Sequence, residues 1–504
     1  MEIRWTSILG PSIEHKFRFV NDHQLLINIF LIILLVIAVP SFALLYKMPS
    51  KDVIYLLSLL MLIITIWICS TIKKISPDVF NFYSLFLLSA MLFNGGQIYL
   101  EVFHLNKEGI LEDKFDPYTL SLTLYLVIIS LTSFHIGGLL SIRSKKNNSK
   151  NTVSQDLSSG VTAQSLRIIG YGLLALSIVP TLIMAITALK IVLSGGYFAL
   201  YQQNHSAGLA SSTEGVISIL SRFIIPALFF LYAGSKKKPI TRICVSAGLF
   251  VYICIFFFLG WRGYGTMLLF AGLWARHMLV KPLPLRNIFI GGIFLLFVLF
   301  PTIKHIRNIE GSSRLSLQSY INIYFTIENP AIYTISEMGG SMQTIAYTMQ
   351  LIPDSRPFAF GSTYIYVASS VIPNLFWDLH PAIKYGSLSR WLTKTVDPFF
   401  FHRGGGLGYS FIAEAYANFG WIGTPIVIGL IGFFLARLAA WPTGSEDYAG
   451  IAVVSVCIAT LLFWARGDAN FVFRPLVFYA FVPYTAFRFN RNLLDRMLGI
   501  KRSK

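Results

Sequence analysis

The 504 residues predict an all-α polytopic membrane protein of about twelve transmembrane helices with one large outward-facing loop. Three observations carry that expectation. The chain is 55% hydrophobic and only 13% charged, and its mean hydropathy is +0.64, more apolar than an ordinary soluble fold. Apolar runs of about 18 to 25 residues, the length that spans a bilayer core, recur along it. Ionisable residues are nearly absent from the middle of those runs, as the cost of burying charge in hydrocarbon requires.

Taken in order, the runs fall at 24–46, 53–72, 79–103, 118–141, 167–193, 216–233, 243–260, 264–280, 287–303, 407–436, 449–465 and 470–487. The first is too long for a signal-peptide core and reads as an uncleaved span. This divides the chain into a membrane part over 1–303, an external segment over 304–406, a second membrane part over 407–487 and a basic tail over 488–504. Twelve spans put both ends on one side. Among the short loops Lys and Arg concentrate on that side, so both termini, with the polar linker 143–165, are expected in the cytoplasm. The net charge of +18 is accounted for by these anchors, and nucleic acid is not an expected partner. The four cysteines, Cys69, Cys244, Cys254 and Cys457, lie inside apolar runs without metal or pairing spacing and read as small hydrophobes.

The 304–406 segment lacks a long apolar run but is dense in Tyr, Phe and Trp. Residues 315–351 suggest one or two amphipathic helices ended by Pro353, and four prolines break 357–401 into short helices and turns. Its aromatics suit an interfacial belt or a platform for the apolar face of a sugar ring.

Chemistry is expected where charge breaks the orientation rule. Arg222, Arg262, Arg307, Arg403, Arg466 and Arg474 collect at outward-facing ends, where positive charge is normally depleted. Lys304 and His305 lie beside Arg307. Planar guanidinium groups bind phosphate bidentately, so the cluster points to a phosphorylated ligand at the outer leaflet. Taken singly, each arginine can snorkel or pair locally, as Arg466 would with Asp468. The stretch 402–423, HRGGGLGYSFIAEAYANFGWIG, joins His402 and Arg403 to a glycine run, Gly404, Gly405, Gly406 and Gly408, and then to a lone carboxylate, Glu414. If Leu407 or Gly408 opens a helix, Arg403 stands at its positive end. Glu414 then lies roughly 9 Å deeper at 1.5 Å per residue, with Ser410 and Asn418 on its face. No GxxxxGK[ST], DxD or His/Cys zinc pattern is present, so neither a metal nor a cofactor is expected.

With this layout, the pattern RGGGLGYSFIAEAYANFGWIG and the GWRGYG turn at 260–265 resemble the Wzy-type oligosaccharide repeat-unit (O-antigen or capsule) polymerases. The resemblance implies a GT-C-like, metal-independent glycosyltransferase of the bacterial inner membrane. Its donor and acceptor would both be undecaprenyl-pyrophosphate-linked oligosaccharides, with a chain-length regulator and a flippase as partners. In that reading the arginines hold the leaving pyrophosphate. Either Glu414 or His402 is the base, or Glu414 locks the arginines in place. Lipid-linked polysaccharide ligases share the layout and remain an alternative. A flippase or secondary transporter is the other, although it would favour charges near the midplane and internal repetition.

Overall fold

The computed structural model describes residues 11–107, 109–143, 156–206, 212–307, 314, 316–372, 381, 385, 387–442 and 446–498, with backbone alone at 11–22, 142–143, 156–159, 201–206, 212–214 and 317. Among them there is no strand, and ten helices are long and apolar enough to cross a membrane. The protein is an all-helical, multi-pass membrane protein. The first eleven helices are α1 (Pro11–Leu45), α2 (Ser50–Ile75), α3 (Phe82–Val102), α4 (Pro117–Arg143), α5 (Asp156–Ser206), α6 (Ser212–Ser221), α7 (Ile224–Gly234), α8 (Pro239–Leu259), α9 (Arg262–Leu279), α10 (Leu285–Phe294) and α11 (Phe300–Ile306). A π-helical stretch, Leu295–Leu299, joins the last two into one span.

The 304–406 segment follows as α12 (Leu317–Thr326), α13 (Pro330–Gly339), α14 (Met342–Leu351), α15 (Ser362–Ser369), α16 (Leu388–Val396) and α17 (Pro398–His402). Membrane helices then resume with α18 (Phe411–Ala439) and α19 (Tyr448–Leu461). After a turn Phe473–Pro475 and a π-helical stretch Leu476–Phe481, α20 (Val482–Met497) ends the described chain.

Helix ends follow local chemistry. Asn81 opens α3 by accepting from Ser84 N–H, Pro239 takes the first turn of α8, and Gly260 closes α8 at φ 86°. Three sequence expectations shift. The first part of the 143–165 linker, 144–155, lies outside the described residues, but from Asp156 onward the chain is already helical. Residues 317–351 form three helices, because Pro330 and Gly339–Gly340 interrupt the pattern. The runs expected at 264–280 and 470–487 are helical but carry arginines and fewer apolar residues than the ten. Of the expected tail over 488–504, residues 499–504 lie outside the described residues.

The segment Tyr448–Arg466 is the most enclosed, whereas α1 and α5 keep most of their surface exposed. Beside it α4 and α18 cross at backbone distance: a Cβ on Gly432 would stand 2.0 Å from Phe134 O, and one on Gly137 1.9 Å from Gly429 O. The 304–406 segment is also packed into the spans. A Cβ on Gly339 of α13 would meet Gln97 N of α3 at 2.5 Å, and Gln97 Nε2 donates to Ser336 O at 3.0 Å.

Two long helices are broken at a glycine. Gly196 interrupts α5 at φ 72°, and Gly420 interrupts α18 at φ 60°, ψ −156°, a region that residues with a Cβ scarcely enter. The break in α18 frees backbone carbonyls, and the 304–406 segment takes them. Ala359 N–H donates to Ala417 O and Phe360 N–H to Asn418 O, each at 3.0 Å, while Gly361 N–H donates to Asn418 Oδ1 at 2.9 Å.

Candidate functional site

Cations from three parts of the chain meet around one carboxylate. The left-handed Gly260 turns the chain so that α9 starts at the buried Arg262. Its Nη1 donates to Phe300 O at 3.1 Å, and its Nη2 is paired with Glu337 of α13. Lys304 of α11 stands 3.9 Å from the same carboxylate and over the Tyr333 ring. Arg466, at the end of a 3-10 turn that prolongs α19, lies over the Phe93 ring at 5.6 Å. Its charge acts on Arg262, Arg307 and Glu337, yet it has no hydrogen-bonding partner among the described residues. Burial alone would push the Glu337 carboxyl up. Arg262, Lys304 and Arg466 outweigh that and hold it below the usual carboxylate value.

Arg307 caps α11 and donates through Nε and Nη2 to Gly260 O at 2.9 and 2.6 Å. Its guanidinium stacks on Tyr197, which the break at Gly196 precedes. Arg314 donates to Phe258 O at 2.7 Å. Both thus hold carbonyls at the negative end of α8. In Arg314, Nε and Nη1 are buried without a partner. Arg262, Lys304, Arg307 and Arg466 against Glu337 leave a surplus of positive charge, the electrostatic condition for holding an anion.

The glycine stretch borders this nest. Arg403 caps the five-residue α17, Gly404 turns at φ 82° and Gly408 at φ 76°. Leu407 N–H donates to Thr393 Oγ1 at 3.1 Å and Ser389 Oγ to Gly408 O at 2.9 Å. A Cβ on Gly408 would be 3.7 Å from Arg466 Nε, and one on Gly405 would run into the Phe400 ring at 2.4 Å. Gly406 has no neighbour within 4 Å of that position. The helix opens at Phe411, later than Leu407 or Gly408, because Ser410 accepts from Ile412 N–H as its cap. Arg403 is consequently not at the start of the helix. It is exposed and stacked on Phe399 at 4.1 Å. His402 is exposed beside Phe401.

Glu414 is 1% exposed. Its Oε1 accepts from Thr363 Oγ1 at 3.2 Å and its Oε2 from Ala469 N–H at 2.7 Å. Asn418 Nδ2 donates to Thr363 Oγ1 at 2.7 Å and Ser410 Oγ to Asn94 Oδ1 at 2.7 Å. Glu414 therefore joins α18, α15 and the turn that follows Arg466, and no cation is hydrogen-bonded to it among the described residues. Asp468, the expected local partner of Arg466, faces elsewhere: it accepts from Ser389 N–H and Asn470 Nδ2, each at 3.2 Å. Burial pushes the Asp468 carboxyl above its usual value. Arg222 and Arg474 are exposed, and both act on Tyr479. Arg474 donates to Ser370 O at 3.2 Å.

Of the six arginines singled out in the sequence, the structure gathers Arg262, Arg307 and Arg466, and no described contact brings Arg222, Arg403 or Arg474 to them. Sequence reasoning missed Glu337 and Arg314. Glu337 had one faint signal, an acid beside an apolar Met338–Gly339 corner with no basic residue near it in the chain. Among the described residues no three of His, Cys, Asp and Glu stand together as a ligand set.

No curated protein and no solved structure matches the chain. A family model described as O-antigen polysaccharide polymerase Wzy matches residues 25–487, a range that takes in the cation nest, the glycine stretch and Glu414. The frame is multi-pass and helical, the match runs over nearly the whole length, and the chain belongs to the O-antigen polysaccharide polymerase Wzy family.

Proposed function

We propose that this polymerase joins undecaprenyl-pyrophosphate-linked repeat units at the outer face of the bacterial inner membrane, with both termini in the cytoplasm. The growing glycan on one carrier is the donor, and the next lipid-linked repeat is the acceptor. An acceptor hydroxyl oxygen attacks the anomeric carbon of the donor sugar. The bond from that carbon to the pyrophosphate oxygen breaks, the hydroxyl proton goes to a base, and undecaprenyl pyrophosphate leaves carrying the bonding pair.

The observation that carries this reading is Arg466, a guanidinium with no hydrogen-bonding partner among the described residues, set beside Arg262, Lys304 and Arg307. Such a group stabilises charge that develops on a leaving pyrophosphate, and it does so without a metal. Arg222, Arg403 and Arg474 meet substrate outside the nest in this proposal. Glu414 positions Arg466, because its carboxylate pins the N–H of Ala469, three residues beyond it. The exposed His402 is then the candidate base, and Gly404, Gly405, Gly406 and Gly408 let backbone approach the ligand.

The test is polymerisation of purified lipid-linked repeats in excess chelator. Arg466→Lys keeps charge and loses the fork, so it should be slowed, and Arg466→Ala slowed further, by roughly ten- to a hundredfold for one lost charge-assisted contact. Glu414→Gln should keep part of the activity with weaker donor binding. Wild-type rates in Arg466→Ala, or activity lost in chelator and restored by magnesium, would overturn the proposal. A ligase would transfer glycan to an unlike acceptor and form no polymer from the repeats alone.

A further inference from the structure

Glu337 is the one acid that the described contacts place among these cations, and its setting is unusual for a structural ion pair. One oxygen, Oε1, serves both Arg262 and Lys304. The other, Oε2, is buried and without a hydrogen bond. A carboxylate that matched its arginine as a fork would use both oxygens. Arg262 is likewise divided, since its Nη1 is committed to Phe300 O. The helix beneath Glu337 is fixed: Gly339 abuts Gln97 N of α3, and Gln97 holds Ser336 O. Displacement of this carboxylate is therefore a side-chain rotation on a rigid support.

A phosphate reaching the nest competes with that carboxylate for the same guanidinium edge, and it brings more oxygens and more charge. On the reading proposed above, we infer that Glu337 is a resident counter-ion that competes with the carrier pyrophosphate for Arg262 and so sets how readily the spent carrier leaves. It is a positioning residue: it acts through Arg262 and need not touch the reacting atoms. Without it, four cations would face a pyrophosphate unopposed, and grip would improve at the expense of release. An interaction that is equally strong in the ground state and the transition state lowers KM without raising kcat.

The experiment measures inorganic pyrophosphate binding and steady-state polymerisation with full-length protein in nanodiscs. Glu337→Gln keeps an oxygen for Arg262 but removes the charge. It should bind pyrophosphate tighter by roughly tenfold or more, the scale of one charge-assisted contact, with KM and kcat both lowered. Glu337→Asp withdraws the carboxylate from Arg262 and should move both constants the same way by less. It also keeps the question open to refutation should the glutamine protein fail to fold. Unchanged or weaker pyrophosphate binding in these variants, or KM rising while kcat falls, overturns the inference. Arg466→Ala separates the two levels. If it binds pyrophosphate as well as wild type, the proposed function fails and the inference falls with it. If it binds worse while Glu337→Gln binds no tighter than wild type, only the inference fails.

Discussion

Glu414 and Asp468 sit on either side of one peptide turn, buried, each satisfied by N–H and hydroxyl or amide donors instead of by a cation. For Asp468 this fixes the sign of a pH effect. Burial raises its carboxyl, so over a window opening near the ordinary 3.8 the folded protein binds more protons than the unfolded chain. Stability from this group is present at low pH and is lost as pH rises through the raised value. Glu337 works in the opposite sense: its lowered carboxyl contributes stability that disappears on acidification. Asp468→Asn keeps an oxygen for Ser389 N–H and cannot titrate. Thermal unfolding followed between pH 4 and 8 should show the variant losing part of the gain that wild type makes on acidification. Identical pH profiles would mean that Asp468 titrates as an exposed acid does.

Among elements, the crossing of α4 and α18 depends on missing side chains. Gly137, Gly429 and Gly432 let two backbones approach to a distance that any Cβ would fill, the means by which membrane helices pack when water provides no drive. Gly432→Val should lower the melting temperature sharply, since overpacking costs about 1–3 kcal/mol even where neighbours give way, and here the neighbour is backbone. Gly291 of α10 has nothing within 4 Å of its Cβ position, so Gly291→Ala should be neutral or stabilise by roughly 0.5–1 kcal/mol through helix propensity. Equal melting of the two variants would contradict the close crossing. The spans were legible because each is a local run of apolar residues. The breaks at Gly196 and Gly420 were not, because glycine within such a run is also a packing residue, and only the surrounding contacts tell the two uses apart.

At the scale of the whole molecule, the sequence conveyed an all-helical, multi-pass membrane protein and singled out six arginines, but not which of them meet. Arg262, Lys304, Glu337 and Arg466 converge from separate helices, and no local spacing encodes that. For Arg403 the correction is one of position: its neighbours in sequence suggested a helix start that Ser410 moves to Phe411. The expected orientation has its own test. In a cysteine-free background, Ser355→Cys should be labelled from outside intact cells and Ser149→Cys should not; the reverse would invert the topology and place the nest on the cytoplasmic side. One junction also bears on how the chain is built. Residues 359–361 leave the ribosome before 417–420, yet among the described residues their N–H groups find acceptors only at Ala417 and Asn418. The 304–406 segment must therefore wait, unfinished, for a helix made after it. Excised from the chain it would lack the strand of backbone that completes it, and its maturation is tied to the insertion of α18.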